Sequence, residues 1–373
     1  MRMTNRVAPA EPAEWFPYMR FARGPVPSLP FNLTQSGMPA ADVDVFADLP
    51  PLDLSHALAR ELPEVRERIA ARYGAGADRV FVTAGASGAM SVAASALFRP
   101  GARVAVETPS YEPLRALPRR AGSEVREVER HPRDGWAIDV GRVERELAGA
   151  RVGHVSITTP NNPTGARTPA ADLVRLAEIA ARCRGVLLSN ETYEEFVPPE
   201  LAVRAARLAP NAISLGTLTK AYGLGALRVG WIVLGEGLGA LRSEFTDALY
   251  LDCVDIPTLS LRAARTALDR LTRLREPLER LERDSKPLFR KWLESHVRLR
   301  GRVSEHGLVT FVEVPGVDDT LALGRHLADT EQLGVVPGEF FGRAGFLRVG
   351  FGSPPERLRE SLARLDRGLA NFR

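Results

Sequence analysis

Cysteine is almost missing. Cys183 and Cys253 are the only two in 373 residues, and neither has a CxxC partner, so a disulfide scaffold and a zinc ribbon are both excluded. This usage suits a reducing cytosol, which is the expected compartment. Long apolar runs are absent as well. No stretch approaches the roughly 18 uncharged apolar residues of a membrane span, and MRMTNRVAPAEPAEWFPYMR has no signal-peptide core. The expectation is therefore a protein neither exported by an obvious signal nor inserted in a membrane. The six histidines show neither HxH nor HExxH spacing, so no metal site is expected. Lysine is scarce too. Of the 50 basic residues only Lys220, Lys286 and Lys291 are lysines, and Lys220 is the only one before residue 286.

That scarcity is informative, because arginine stays protonated and cannot form an imine whereas lysine can act as a nucleophile. General basicity has been met with arginine, so a lone lysine among Gly, Thr and Leu asks for a chemical reason. The net charge of 50 − 46 = +4 is small, and the basic residues alternate with acids, as in RLTRLREPLERLERDSKPLFRKW. This reads as a solvated face, so no nucleic-acid partner is expected. With 45% apolar and 26% charged residues the chain is globular, and its length suggests about two domains.

From residue 79 short β-branched runs alternate with helical stretches: RVFVT, RVAVE, EVREV, GHVSIT, GVLLS, AISLG and RVGWIVL are expected strands. Expected helices include ASGAMSVAASALF, SYEPLRALPRRA interrupted by its prolines, a helix near 139–148, and Ala170 to Arg182. Such alternation predicts an α/β fold, a three-layer sandwich with a mostly parallel central sheet. Beyond residue 260 the leucines at 261, 268, 271, 274, 278 and 281 predict one long amphipathic helix kinked at Pro277. GLVTFVEV, GVVPGEFF, FLRVGFG and a final helix from Pro355 to Phe372 then suggest a smaller α+β domain. The expected division is an N-terminal arm with part of the small domain (1–45), a large domain (46–260) and a small C-terminal domain (261–373). The arm sequence ARGPVPSLPFNLTQSGMP reads as extended and able to fold back on the small domain.

In an open parallel sheet, ligands bind beyond the carboxyl ends of the strands. After RVFVT, Ala84-Gly85-Ala86-Ser87-Gly88 opens a helix on small residues, where free N–H groups suit a phosphate; tight packing alone is the plainer account. After RVAVE comes Tyr111, able to stack on a planar ligand or merely on its own helix. After GHVSIT, TPNNPTG (159–165) makes a rigid turn that presents the amide of Asn162. After GVLLS come Asn190, Glu191, Thr192 and Tyr193. After AISLG come Thr217, Lys220 and, eight residues further, Arg228.

SLGTLTKAYGLGALRVGW together with TPNNPTG resembles the fold-type I pyridoxal-phosphate enzymes, in particular the class I/II aminotransferases, from about residue 32 onward. The resemblance implies pyridoxal 5'-phosphate as cofactor and Lys220 as its Schiff-base lysine and proton carrier. It implies that Thr217, Arg228, Ser87 and the Ala86 N–H hold the phosphate, that Tyr111 stacks on the ring, and that Asn162 and Tyr193 bond its phenolic oxygen. Asn190 then faces the pyridine nitrogen, while Gly37, Asn162 and Arg348 meet the substrate, Arg348 gripping its α-carboxylate. An aminotransferase acting on an α-amino acid and a 2-oxo acid, working as a homodimer, is what the resemblance implies overall.

Asn190 departs from that pattern, which has an aspartate ion-paired to the ring nitrogen so that the ring acts as an electron sink. Three accounts are open: another acid such as Glu191 substitutes, the chemistry needs less carbanion stabilisation, or the chain is a slow variant. A lyase or cyclase using the same lysine is the rival enzyme reading, and a cofactor-binding regulator without turnover is the rival outside enzymes. A second departure is His56, which occupies the place of a tyrosine that in the family reaches the neighbouring subunit's phosphate; Glu61 likewise replaces a glycine.

Overall fold

The computed structural model describes residues 15–49 and 61–372, so His56 lies outside the described residues. The strands, in chain order, are β1 (Phe31–Asn32), β2 (Val80–Ala84), β3 (Arg103–Thr108), β4 (Glu124–Glu129), β5 (Gly153–Thr158), β6 (Leu187–Asn190), β7 (Ala212–Thr217), β8 (Val229–Leu234), β9 (Val309–Glu313), β10 (Leu333–Gly334), β11 (Val336–Pro337) and β12 (Phe346–Gly350). A seven-stranded sheet has the order β2-β8-β7-β6-β5-β3-β4 and is parallel except at β8, which runs against both of its neighbours. The fold class is thus α/β with a mostly parallel central sheet and, beside it, a small antiparallel sheet β11-β12-β9.

Both faces of the large sheet are covered, which explains its continuous apolar runs. Because successive side chains on a strand point to opposite faces, Val104 and Val106 join one core with the helix Gly85–Leu97 and Phe245. Ala105 joins another with the helices Val140–Leu147 and Ala170–Arg182. A third and larger core links the helix Glu61–Tyr73 to β12, the long C-terminal helices and Leu33 of the arm.

Three expectations change. The leucine-rich stretch after 260 forms two helices, Thr258–Asp269 and Leu271–Ser295, broken at Arg270 and continuous through Pro277 and Pro287. Arg270 leaves helical geometry and its guanidinium is held by Asp48 and the Val45 carbonyl, whereas the Pro277 region is carried by burial of Leu274, Leu278 and Leu281. The stretch after Tyr111 is one helix, Glu112–Arg120, with Pro118 accommodated inside it. The arm is not wholly extended: Pro17–Arg23 is a helix with proline at its start, a position where the missing N–H costs nothing, and Val26–Ser28 is a 3-10 turn. It does fold back on the C-terminal part, through parallel pairing of β1 with β10.

Candidate active site

Strand direction gathers the chemistry. β2, β3, β5, β6 and β7 all run the same way, and β8 starts where they end. The residues that follow the first five, and Arg228 just before β8, therefore meet at one sheet edge. There a cavity of about 200 Å³ is lined by Ala86, Ser87, Tyr111, Asn162, Asn190, Tyr193, Thr217, Lys220 and Arg228, all the candidate cofactor residues. A larger cavity of about 490 Å³ lies elsewhere, and its Arg72 and Arg204 are taken up by Glu195.

One end of the pocket is built for an anion. The helix Gly85–Leu97 begins at Ala84, which offers no side-chain acceptor, and its first turn has no acid. Its leading N–H groups therefore await a partner. Arg228, in left-handed geometry at φ 53°, donates to the Ala84 carbonyl at 3.1 Å and so lies over that helix end. Glycine favours this approach: Gly85 has φ +73°, a strained conformation for other residues, and a Cβ on it would sit 2.6 Å from Arg228 Nη2, so the guanidinium would have to shift. Thr217 also lines the pocket, but its hydroxyl donates to the Val229 carbonyl at 2.8 Å and lies 2.9 Å from Thr219 Oγ1. Its proton must turn to serve a phosphate.

Lys220 projects between this end and Arg348. Its Nζ donates to Ser36 Oγ at 3.1 Å, and Tyr193 donates to the same oxygen at 2.9 Å. Burial lowers the Lys220 pKa, and the Arg348 and Arg228 charges act in the same direction while Tyr18 opposes them. More neutral amine is thereby available for attack. Gly37 abuts the lysine: a Cβ there would lie 3.0 Å from Lys220 Cδ, and the next residue, Met38, donates its N–H to the Lys220 carbonyl at 2.7 Å. The arm thus fixes the lysine loop from outside the sheet.

Arg348, 1% exposed, donates to Asn162 Oδ1 at 3.0 Å, to the Thr34 carbonyl at 2.6 Å and to Tyr18 OH at 3.3 Å. Asn162 is placed by its neighbour. Asn161 closes the turn by accepting from Thr164 and donates to Glu107 Oε1 at 2.8 Å, and Glu107 is ion-paired with the buried Arg130 at 2.6 Å. Glu112 takes the N–H groups of Tyr18 and Met19 at the start of the arm helix, at 2.8 and 3.2 Å, holding that helix over the pocket. Tyr111 reaches Met19 Sδ at 3.2 Å and packs edge-on to Tyr18 at 5.7 Å.

Glu191 does not take the place of a missing acid. It is buried on the far face of β6, where Oε1 accepts from Ala205 N at 2.7 Å and Ser214 Oγ at 2.6 Å. No Asp or Glu is among the described residues lining the pocket. Sequence reasoning missed Ser36, Tyr18, Met19, Met90, Thr158 and Thr219, which carry no spacing signal; proline at the start of the arm helix was the one available pointer to Tyr18. Among the described residues no group of His, Cys, Asp and Glu could hold a metal ion, and both cysteines are free.

Comparison with known proteins bears on the family of the whole chain. Residues 55–365 match the model of the family described as aminotransferase class I and II. Capreomycidine synthase of Streptomyces vinaceus is 30% identical over 309 residues, covering 82% of this chain and 78% of that protein. The arginine–pyruvate transaminase AruH of Pseudomonas aeruginosa is 28% identical over 313 residues, 81% of this chain and 79% of its own. The crystal structure of the PLP-dependent cyclase OrfR superposes with a TM-score of 0.78 at 26% identity, covering 98% of this chain and 99% of that one.

Proposed function

The chain belongs to the class I and II aminotransferases and is a pyridoxal-phosphate-dependent enzyme, and from that premise we propose that it moves an amino group between an α-amino acid and a 2-oxo acid, with Lys220 as the reacting lysine. The carrying observation is the Lys220 amine, set between an uncapped helix end with Arg228 and the buried Arg348, in a pocket without a lining carboxylate. That surplus of positive charge fits two anions, the cofactor's phosphate and the substrate's carboxylate.

When bound, pyridoxal phosphate supplies an aldehyde that condenses with amines and a conjugated ring that takes up negative charge from Cα. In this reading the Ala86 and Ser87 N–H groups, Arg228 and Thr217 bind the phosphate, and Tyr111 covers the ring. Tyr193 and Asn162 donate to its phenolic oxygen, and Asn190 meets its nitrogen. Arg348, with Asn162 and the close backbone of Gly37, orients the substrate carboxylate so that Cα–H lies toward Lys220. Lys220 Nζ would then be placed to take the Cα proton and carry it, and the Tyr18 helix would limit water.

The homodimer and the cytosolic setting belong to the same proposal, as does the division into an arm, a large domain and a small domain. Tyr250, Leu251, Val254 and Leu259 form an exposed apolar stretch around Cys253, suited to a second copy. A second reading, a cyclase or lyase on the same lysine, is favoured by the neutral Asn190 and by the similarity to capreomycidine synthase and OrfR. The test is incubation of the purified enzyme with single α-amino acids and 2-oxoglutarate. Glutamate accumulating in step with amino-acid loss supports transamination. Amino-acid loss without glutamate supports the second reading, and a Lys220 that carries no pyridoxyl label after borohydride reduction refutes both.

A further inference from the structure

We propose that Asn190 meets the cofactor's ring nitrogen as a hydrogen-bond donor, so that this enzyme holds the pyridine ring unprotonated. The inference rests on the cofactor-binding reading above and concerns the wall of the pocket where Asn190 stands in place of the aspartate that the resemblance implies.

The orientation of the amide is decided by its neighbour. Asn190, 4% exposed, has Oδ1 3.2 Å from the Thr192 backbone N–H and 2.7 Å from Thr192 Oγ1. A backbone N–H only donates, so the atom facing it must be the oxygen; a flipped amide would set N–H against N–H. The other limb of the amide, Nδ2, is left pointing at Met90 Sδ at 3.6 Å, a weak acceptor, and both residues line the pocket. Asn190 therefore offers the cavity a donor and has no acceptor to spare.

The cofactor's own connectivity supplies the matching group. Its reactive aldehyde carbon is para to the ring nitrogen, and its phosphate arm is on the carbon adjacent to the aldehyde-bearing one. With the aldehyde at Lys220 and the phosphate at the helix end beside Arg228, the nitrogen is directed away from the lysine. A pyridine nitrogen carries one lone pair and accepts; a pyridinium N–H donates and would confront the Asn190 N–H. The charges around the pocket act the same way. Arg23, Lys220 and Arg228 line the pocket and the Arg348 charge acts on Lys220, burial holds Tyr111 and Tyr193 neutral, and the Glu107 carboxylate on β3 is paired with Arg130. Glu191 lies on the opposite face of β6 against Arg204. Thr158, the strand partner of Asn190, adds a buried hydroxyl without a hydrogen-bond partner; it can donate or accept, so the fixed direction at this wall is set by the Asn190 amide.

A neutral ring withdraws less electron density from Cα than a protonated one, so proton removal by Lys220 becomes the demanding step. The chemistry is then best served when the Cα charge is short-lived.

The experiment uses the holoenzyme reconstituted with pyridoxal phosphate carrying 15N in the ring, and reads the nitrogen chemical shift by NMR from pH 6 to 9. The expected wild-type signal is at the neutral-pyridine position at every pH. In Asn190→Asp it moves to the pyridinium position, and in Asn190→Leu it stays neutral while cofactor affinity falls roughly two- to tenfold, as for one lost neutral hydrogen bond. Circular dichroism of both variants controls for folding, and Asn190→Leu keeps the test decisive if the aspartate variant misfolds. A wild-type signal at the pyridinium position overturns the proposal. Failure of the wild type to retain label at all refutes the cofactor reading beneath it, and is seen before any spectrum is interpreted.

Discussion

Replacing Arg348 by methionine separates what a buried guanidinium costs from what it does for binding. The side chain is 1% exposed, its partners are the neutral oxygens of Asn162, Thr34 and Tyr18, and its Nε has none. It also lies over the Phe341 ring at 5.2 Å, which methionine can still contact. Loss of the two shorter hydrogen bonds costs about 1 kcal/mol each, while removing an uncompensated buried charge returns energy of similar size. Unfolding free energy should thus stay within about 2 kcal/mol of wild type. Binding should respond quite differently. Two charge-assisted bonds to a carboxylate, at about 1.5–3 kcal/mol each, correspond to a loss of roughly a hundredfold to ten-thousandfold in affinity. Urea unfolding of the cofactor-free protein reads the first quantity, and spectral titration of the holoenzyme with an α-amino acid reads the second. A simple amine lacking the carboxylate should bind both proteins alike. A stability loss above about 4 kcal/mol, or an affinity loss below about tenfold, would refute the assignment of Arg348 to substrate.

Three further outcomes follow from the geometry. Gly85→Ala forces a side chain into φ +73° and against Arg228, so cofactor retention on dialysis should fall at least about tenfold while the fold persists. Glu107→Gln removes the charge facing buried Arg130 and weakens the hold on Asn161, at a cost of about 3–5 kcal/mol in denaturant unfolding and with KM rising through the displaced Asn162. His154 is driven down to about 4 by burial, aided by the nearby Arg99 charge, so the native state resists protonation that the unfolded chain accepts near 6.5. Its contribution is fully present above pH 6.5 and is lost as pH falls through 4, about 3 kcal/mol in all. Glu191, pushed up to about 7 by burial, acts in the opposite direction over much of that window, so the measurement is the difference between His154→Asn and wild type in stability against pH. Equal slopes would show that His154 does not titrate in this way.

Much of the large sheet was legible because its strands, apart from the edge strand β4, are buried almost throughout, which leaves short runs rich in β-branched residues between breakers, as in Gly153–Thr158 and Val229–Leu234. The end of the helix stretch after residue 260 was not. A rule that places a kink at proline ignores tertiary packing, and here Arg270, drawn to Asp48 from a distant segment, decided the break. The helix Pro17–Arg23, which mostly precedes the stretch read as extended, went unread for a related reason: its first N–H groups are completed by Glu112, far away in sequence. The same limit applies to the site. Residues following strands of one sheet are brought together by topology, so they could be gathered from sequence order alone. Ser36 reaches the lysine from the arm, and no period or motif relates position 36 to position 220.

Asn190 shows how far residue identity carries the chemistry and where geometry must take over. Strand alternation already made Glu191 a poor substitute for an acid at 190, since neighbours on a strand face opposite ways. The structure adds the positive reason: Glu191 is spent on Ala205 and Ser214. What no sequence rule supplies is the direction of the Asn190 amide, which depends on one backbone N–H two residues on. An asparagine whose oxygen faced the pocket could have accepted from a protonated ring and kept part of the aspartate's role. With the oxygen tied to Thr192, the amide has only N–H left to offer the pocket, and on the proposal above an asparagine here selects the ring's protonation state rather than simply weakening its hold.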